Sequence, residues 1–335
     1  MDHASNAVSD EMTYRPLGSS GLMVSAVGLG CNAFGTRIDA EQTQQVVDAA
    51  LDAGITLFDT ADSYGRGASE ELLGKALGSR RDEIVLATKF GMDMGGVNGP
   101  DWGARASRRY VRTAVEASLR RLGTDHIDLY QLHQPDLVTP IEETLSALDD
   151  LVREGKVRYL GCSNFAAWEV VDAHWTATTA GLQPFITVQN EYSLYNRSAE
   201  EELVPACARL GMSILPYFPL AYGLLTGKYR RGEAPPAGSR LEAQSSRLES
   251  ADFDRIEALE AFAAARDLTL LDVAIGGLAA QPGVGSVIAG ATKPEQVVGN
   301  ARAGGWKPAA ADLAALDDIN SHRAPGMTHA SFTRR

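Results

Sequence analysis

The sequence predicts one α/β domain, a (β/α)8 TIM barrel with an N-terminal β-hairpin and extended loops at the C-terminal mouth of the barrel. Eight short apolar runs rich in β-branched residues recur along the chain without apolar/polar alternation, which is typical of parallel strands buried on both faces. Helical patterns follow the runs in strict order, which favours a closed barrel over an open doubly wound sheet. The length of 335 residues fits one barrel with insertions or two smaller domains, and the order of elements favours the barrel.

The chain divides into two short tails and one barrel. Residues 1–12 are expected to be a disordered tail, residues 13–321 the barrel, and residues 322–335 a C-terminal tail. A β-hairpin is expected at residues 14–25, around the turn at residues 18–21. The barrel strands are expected at residues 26–30, 55–59, 84–89, 127–133, 157–163, 186–190, 213–217 and 286–290.

Helices between the strands carry start and stop signals. In residues 40–53 apolar side chains recur at helical spacing, and Gly54 is placed to end the helix. Residues 110–122 also stop before a glycine. Ser198, followed by Glu201 three residues later, has the spacing of a capping box and predicts a helix start at residue 198.

Two connections are longer than plain turns. Residues 91–106 follow the third predicted strand, and residues 219–250 follow the seventh. Both lie after the carboxyl end of a strand, where barrel enzymes place their chemistry.

The composition excludes several classes of protein. A net charge of −12 and a pI of about 5.0 argue against sequence-independent binding to nucleic acid. Neither a signal peptide nor a membrane span is expected, so the protein is predicted to be cytoplasmic and to have no membrane partner. Cys31, Cys162 and Cys207 form no disulfide framework. The sequence leaves the oligomeric state open.

Polar residues end three successive predicted strands. Asp59 ends the second strand, Lys89 the third and His133 the fourth, while Tyr64 follows Asp59 by five residues. Each residue alone is compatible with a structural role. Because the carboxyl ends of barrel strands meet at one mouth, the four residues together predict a functional site there.

These four residue types fit carbonyl reduction. A carbonyl that accepts a hydride also needs a proton, and Tyr64 is an acid that is protonated at pH 7. The charge of Lys89 is expected to lower the pKa of Tyr64, and Asp59 is the natural counter-ion for Lys89. His133 is expected to donate a hydrogen bond that orients the carbonyl oxygen.

Five segments resemble motifs of the aldo-keto reductases, and the resemblance covers nearly the whole chain. They are GITLFDTADSYG at 54–65, ATKFG at 87–91, IDLYQLHQPD at 127–136, GKVRYLGCSNF at 155–165 and VQNEYSLYNR at 188–197. The resemblance is to the branch that includes potassium-channel β subunits and bacterial aldo-keto reductases. It implies a barrel enzyme that reduces a small aldehyde or ketone. The family's catalytic tetrad falls on Asp59, Tyr64, Lys89 and His133.

The resemblance also implies NADPH as the cofactor, and three groups of residues that bind it. Ser163, Asn164 and Gln189 would hold the nicotinamide carboxamide, and Tyr217 would stack on the ring. The pyrophosphate loop and its phosphate-binding cations would comprise Pro219, Leu220, Gly223, Lys228 and Arg240. The adenosine 2′-phosphate and adenine would bind at Gly290, Thr292, Gln296 and Asn300.

The adenosine segment departs from the family pattern. Many members carry a Lys-Ser pair and later an arginine where this chain has Gly290, Ala291 and Gln296. NADPH stays favoured over NADH. The alternative to an enzyme is a nucleotide-binding, redox-sensing regulatory subunit with little turnover. Apolar or aromatic residues on the mouth loops are expected to line the substrate pocket; they are Phe34, Met92, Trp102, Tyr192 and Tyr222.

Overall fold

The computed structural model of the protein describes residues 8–9, 11–242 and 245–321. Its strands are β1 (Tyr14–Pro16), β2 (Met23–Ser25), β3 (Val27–Gly30), β4 (Leu57–Asp59), β5 (Val85–Phe90), β6 (Ile127–Leu132), β7 (Val157–Ser163), β8 (Thr187–Gln189), β9 (Ser213–Ile214) and β10 (Val287–Gly290). Strands β1 and β2 form the predicted antiparallel hairpin. The other eight are parallel, in the order β10-β3-β4-β5-β6-β7-β8-β9.

Backbone hydrogen bonds close this sheet into the predicted barrel. The Ile288 N–H donates to the Pro216 carbonyl at 3.0 Å, and the Gly285 N–H donates to the Ile214 carbonyl at 2.8 Å. Strand β9 is shorter than the sequence predicted, because only its first two residues pair continuously with β8. Further along, Tyr217 meets Glu191 in an isolated parallel bridge.

Side chains alternate between the two faces of each strand, and this alternation determines which of them fill the barrel interior. Leu57, Ala87 and Leu129 pack in one buried cluster with Leu17 and Val24 of the hairpin region. Side chains two residues apart share a face of a strand. The residues two positions further on in β4, β5 and β6 are therefore directed to the same interior, nearer the carboxyl ends of the strands. They are Asp59, Lys89 and Gln131.

Eleven α-helical segments lie within the described residues. They are α1 (Ala40–Asp52), α2 (Ala68–Leu77), α3 (Arg108–Leu122), α4 (Ile141–Arg153), α5 (Ala167–Ala180), α6 (Leu203–Leu210), α7 (Ser245–Glu249), α8 (Phe253–Ala264), α9 (Leu270–Asp272), α10 (Pro294–Ala303) and α11 (Ala310–Ser321). Gly54 follows α1 at a φ of 75°, as its predicted stop role requires.

The helix start predicted at Ser198 is wrong. Residues Ser198–Glu200 form a short 3₁₀ turn, and the α-helix begins at Leu203. The Ser198 hydroxyl donates to the side-chain oxygen of Asn196 at 2.9 Å. It is therefore engaged within the preceding turn instead of capping the helix.

Part of the predicted N-terminal tail packs on the barrel. The Ser9 N–H donates to the Gly305 carbonyl at 3.3 Å, and Val8 and Met12 pack against the hydrophobic core. The expectation of a disordered tail is therefore wrong for these residues. Residues 1–7, residue 10 and the predicted C-terminal tail 322–335 lie outside the described residues.

Candidate active site

A buried lysine lies at the centre of the candidate site. The Lys89 ammonium donates to Asp59 Oδ2 at 2.6 Å, to the Thr60 carbonyl at 2.9 Å and to the Tyr64 hydroxyl at 3.2 Å. Its three N–H groups thus have three partners. Strands β4 and β5 are neighbours in the sheet, which explains why Asp59 and Lys89 meet across thirty positions of sequence.

Two glutamines hold the second oxygen of Asp59. The side-chain amide of Gln131 donates to Asp59 Oδ1 at 3.1 Å, and that of Gln189 donates to the same atom at 2.9 Å. Sequence reasoning missed Gln131, although its place two residues after the inward Leu129 was a usable signal. Gln189, which is also expected to contact a cofactor, donates to the carboxylate through its amide nitrogen.

The ionisation of this cluster differs in part from the sequence expectation. Burial opposes the charge of Lys89, but the Asp59 carboxylate and two hydrogen bonds outweigh it and raise the pKa of Lys89 above its ordinary value. Burial also raises the pKa of Tyr64, and the Lys89 charge offsets only part of that rise. The charge of Lys89 thus lowers this pKa as expected, but removing the phenol from water is the larger effect, so the pKa of Tyr64 lies above its ordinary value. Tyr64 is a protonated phenol at neutral pH.

His133 lies beside Tyr64 as a neutral imidazole. The two rings meet edge to face at 5.8 Å between centroids. Burial, reinforced by the positive charge of Lys89, lowers the pKa of His133 to about 3. Its Nδ1 lies 3.4 Å from the Ser63 hydroxyl, which also lies 3.8 Å from the sulfur of Met92. The structure thus brings all four residues of the predicted tetrad together.

Hydrogen bonds link the residues expected to hold a carboxamide. The Asn164 amide donates to the His133 carbonyl at 2.9 Å, and the Tyr217 hydroxyl donates to Asn164 Oδ1 at 2.8 Å. The Ser163 hydroxyl donates to the Gln189 carbonyl at 2.7 Å. Asn164 has a φ of 60°, which a residue without a β-branched side chain adopts most readily. Tyr217 is half-buried, with the Phe218 ring edge to face at 5.1 Å between centroids.

Arginine and aromatic side chains form a positive patch on the 219–250 connection. The Arg247 guanidinium lies 3.6 Å from the Tyr222 ring centroid, and Arg240 lies about 5 Å from the rings of both Tyr222 and Phe218. Burial lowers the pKa of Arg240, and the charges of Arg37 and Arg247 lower it further. Among the described residues none of these three arginines has a carboxylate within ion-pair distance. Arg37 and Arg247 are residues that sequence reasoning missed.

The remaining predicted cofactor residues lie around this patch. Lys228 is exposed, with its ammonium 5.1 Å from the Tyr229 ring centroid. Gly223 has a φ of 100°, a conformation that favours glycine, and Pro219 and Leu220 precede it at the start of the same loop.

The predicted adenosine residues lie between the end of β10 and the middle of α10. The Thr292 N–H and hydroxyl both donate to Gln296 Oε1, at 2.8 and 3.1 Å. Gly290, at the end of β10, is exposed, whereas Asn300 is buried. The Gln296 side chain thus engages a backbone donor that an anion would otherwise use.

The residues expected to line the substrate pocket are in different environments. Met92 is half-buried and next to Ser63, and Tyr222 lies in the positive patch. Trp102 is 69% exposed, with the Arg109 guanidinium 4.3 Å from its ring. Phe34 and Tyr192 are buried in the core, so for these two the pocket assignment is wrong.

A cavity of about 360 Å³ opens beside Tyr222. Glu191, Tyr195, Arg247 and Arg255 also line it. None of the described residues that line it belongs to the tetrad.

Metal sites and membrane-spanning helices are both absent from residues 8–9, 11–242 and 245–321. These residues contain no group of three or more His, Cys, Asp or Glu side chains arranged to hold a metal ion. They also contain no helix long and apolar enough to cross a membrane.

Residues 26–321 match the Aldo/keto reductase family, and the chain belongs to this family of oxidoreductases, which use NAD(P)H and act on small carbonyl compounds. A protein of Oryza sativa subsp. japonica named a probable voltage-gated potassium channel subunit beta is 35% identical over 303 residues, which cover 87% of this chain and 91% of that protein. Probable aldo-keto reductase 1 of Glycine max is 40% identical over 253 residues, covering 72% and 71%. Versiconal hemiacetal acetate reductase of Aspergillus parasiticus is 37% identical over 300 residues, covering 81% and 86%.

Proposed function

We propose that this protein reduces the carbonyl group of an aldehyde or ketone with NADPH, and that Tyr64 is the general acid. The observation that carries the proposal is the contact of 3.2 Å between the Lys89 ammonium and the Tyr64 hydroxyl, in a pocket where both pKa values are raised. A phenol that stays protonated at neutral pH is suited to donate a proton to an oxygen on which negative charge develops.

The residues around the mouth fit a dinucleotide. A protein with a net charge of −12 carries three arginines here without carboxylate partners among the described residues, which suits a ligand with several phosphates. Arg240, Arg247 and Lys228 would bind the phosphates, and the half-buried Tyr217 ring would pack on the nicotinamide. When bound, NADPH would supply the hydride. Ser163 and Asn164 would exchange their present hydrogen bonds for bonds to the carboxamide.

His133 and Lys89 would have different roles during reduction of the carbonyl. A neutral His133 would donate one hydrogen bond and hold the oxygen near the Tyr64 hydroxyl. Lys89 would stabilise the phenolate that remains after proton transfer, and the Asp59 carboxylate would keep Lys89 charged and in place. The buried position of both groups excludes water, which strengthens each of these interactions.

A regulatory role is the second candidate. The similarity to a probable potassium channel subunit beta over 87% of this chain favours a nucleotide-binding subunit with little turnover. The two functions differ in steady-state turnover, because a reductase oxidises NADPH continuously when an aldehyde is present and a sensor does not.

The test is NADPH oxidation, followed by absorbance, with a panel of aromatic aldehydes. Tyr64→Phe is expected to lower kcat at least 100-fold while nucleotide affinity changes less than about 3-fold, because the ring remains and only the acid is lost. Tyr14→Phe is the matched control and is expected to keep full activity, because the Tyr14 hydroxyl donates to the Gly54 carbonyl and contacts no residue of the tetrad. Wild-type activity in Tyr64→Phe would refute the assignment, and tight NADPH binding without turnover in the wild type would favour the regulatory subunit.

A further inference from the structure

Ser63 contacts the imidazole of His133 from the residue next to Tyr64. Its hydroxyl oxygen lies 3.4 Å from Nδ1 of His133 and 3.8 Å from the sulfur of Met92. Ser63 is half-buried and has a helical backbone conformation (φ −74°, ψ −18°). Neither the tetrad nor the cofactor residues described above include it.

A neutral histidine has only one ring proton. Because His133 is buried beside the charged Lys89, its imidazole stays neutral at physiological pH. A neutral imidazole donates a hydrogen bond from one ring nitrogen and accepts at the other. The position of that single proton decides whether the nitrogen left free can donate to a substrate oxygen.

The Ser63 hydroxyl has two neighbouring acceptors for its one hydrogen. The imidazole nitrogen is the stronger acceptor, since a thioether sulfur accepts hydrogen bonds only weakly. When the hydroxyl donates to Nδ1, the ring proton must lie on Nε2. No other hydrogen bond to the His133 ring exists within the part of the chain that the structure describes.

We infer that Ser63 is a positioning residue that holds His133 in the tautomer protonated at Nε2, leaving that nitrogen free to donate to the substrate oxygen. The inference rests on the proposed function for its purpose, but the tautomer itself is a property of the protein alone. In the opposite arrangement Nδ1–H donates to Ser63, and Ser63 donates to Met92. That arrangement leaves Nε2 as an acceptor, unable to donate to a carbonyl.

The experiment measures the ring ¹⁵N chemical shifts of His133 in full-length protein labelled with ¹⁵N-histidine, without cofactor or substrate. The His133→Gln spectrum identifies which signals belong to residue 133. We expect a protonated-type shift at Nε2 and an unprotonated-type shift at Nδ1 in the wild type and in Ser63→Thr, which keeps the hydroxyl. In Ser63→Ala both shifts should move towards an average of the two tautomers.

Kinetics supply the second readout. Ser63→Ala is expected to lower kcat for aldehyde reduction by roughly 3- to 10-fold, as loss of one hydrogen bond implies, with KM for NADPH unchanged and recovery in Ser63→Thr. A wild type protonated at Nδ1, or a Ser63→Ala variant with unchanged ring shifts, would overturn the inference. Because the shifts need no turnover, an inactive wild type would refute the proposed function and leave the tautomer result standing.

Discussion

The ammonium of Lys89 lies 2.6 Å from Oδ2 of Asp59, and their side chains are only 0% and 3% exposed. Each charge is therefore compensated mainly by the other. Breaking a buried pair by removing one partner is strongly destabilising, since the remaining charge loses its counter-ion. The pair at the centre of the candidate site thus also contributes to the stability of the barrel.

A double-mutant cycle on this pair should show strong coupling. Lys89→Met and Asp59→Asn are each expected to lower the free energy of unfolding by about 3 to 5 kcal/mol, because each leaves one buried charge unpaired. The double variant should lose at least ~1 kcal/mol less than the sum of the two single losses. Urea unfolding of the ligand-free protein, followed by tryptophan fluorescence, measures the stability of the wild type, the two single variants and the double variant.

The control cycle uses a partly exposed pair. Lys156 and Glu116 lie 2.7 Å apart, and their side chains are 33% and 47% exposed. The coupling between Lys156→Met and Glu116→Gln should stay below about 1 kcal/mol, because solvent screens the pair. Additive losses at Asp59 and Lys89 would contradict the view that the two charges depend on each other.

A second buried carboxyl, Asp62, should make stability depend on pH. Its Oδ2 accepts a hydrogen bond from Asn98 at 2.9 Å, and its Oδ1 has no partner among the described residues. Burial and the charge of Glu70 raise the pKa of Asp62 to about 8, although the charge of Arg121 acts in the opposite direction. The folded state therefore holds a proton that the unfolded state releases above pH 4, so this group makes stability fall as pH rises from 4 to 8.

Asp62→Asn removes this titration and keeps a neutral group of similar shape. Relative to wild type, its free energy of unfolding should increase by roughly 1 kcal/mol for each pH unit between 5 and 8, so the variant becomes relatively more stable as pH rises. Urea unfolding at four pH values measures the difference. Ser118→Ala is the control, because Ser118 is buried and does not titrate, and its hydroxyl has no partner in the described structure. A difference for Asp62→Asn that stays constant with pH would contradict the raised pKa.

The barrel and its tetrad could be predicted from the sequence because both follow from local patterns. A buried apolar run that ends in Asp59 or Lys89 shows where the strand stops and which rim the side chain reaches. Gln131 could be added by the same alternation, once Leu129 is known to face inward.

Other features depend on contacts between distant segments and could not be predicted. The Tyr64 pKa is set by how much water the closed pocket excludes, which residue identity alone does not reveal. The sequence places Phe34 on a mouth loop, yet its side chain packs in the hydrophobic core. Arg247 and Arg240 meet across Tyr222 only after the long 219–250 connection has folded.

The pH dependence of aldehyde reduction should lack a histidine step. Because burial lowers the pKa of His133 to about 3, its ring is neutral between pH 6 and 9. Burial raises the pKa of Tyr64 above its ordinary value, so the phenol stays protonated and kcat/KM should be flat between about pH 6 and 9. Steady-state rates across this range supply the measurement. An inflection between pH 6 and 7 that disappears in His133→Gln would show an ionising His133 and contradict the prediction.

Nucleotide binding should depend on the positive patch and on salt. Arg240→Gln is expected to weaken NADPH binding by roughly 10- to 100-fold, since a charge-assisted hydrogen bond to phosphate is lost. Arg247→Gln, at an exposed position, should weaken it by about 3-fold, and only at low ionic strength. Fluorescence titrations at two salt concentrations measure both effects.

The matched control is Arg231→Gln in the same connection. Arg231 already pairs with Asp254 and Glu257, so it is not available to a phosphate, and NADPH affinity should not change. Repeating the titrations with NADH tests the preference for NADPH. Equal losses of NADPH affinity in Arg231→Gln and Arg240→Gln would show a general effect of net charge and would contradict a specific role for the patch.

Gly74 should tolerate no side chain, because α2 and α3 touch there. A Cβ on Gly74 would lie 2.7 Å from the carbonyl carbon of Leu122, which is backbone and cannot turn aside. Gly74→Ala should therefore lower the free energy of unfolding by about 1 to 3 kcal/mol, despite the better helix propensity of alanine. Gly299→Ala in α10 is the control: its Cβ would meet only Leu271 Cδ2 at 3.4 Å, so stability should be unchanged or rise by up to ~1 kcal/mol. Urea unfolding of both variants separates packing from propensity, and a Gly74→Ala protein as stable as wild type would mean that the two helices can move apart.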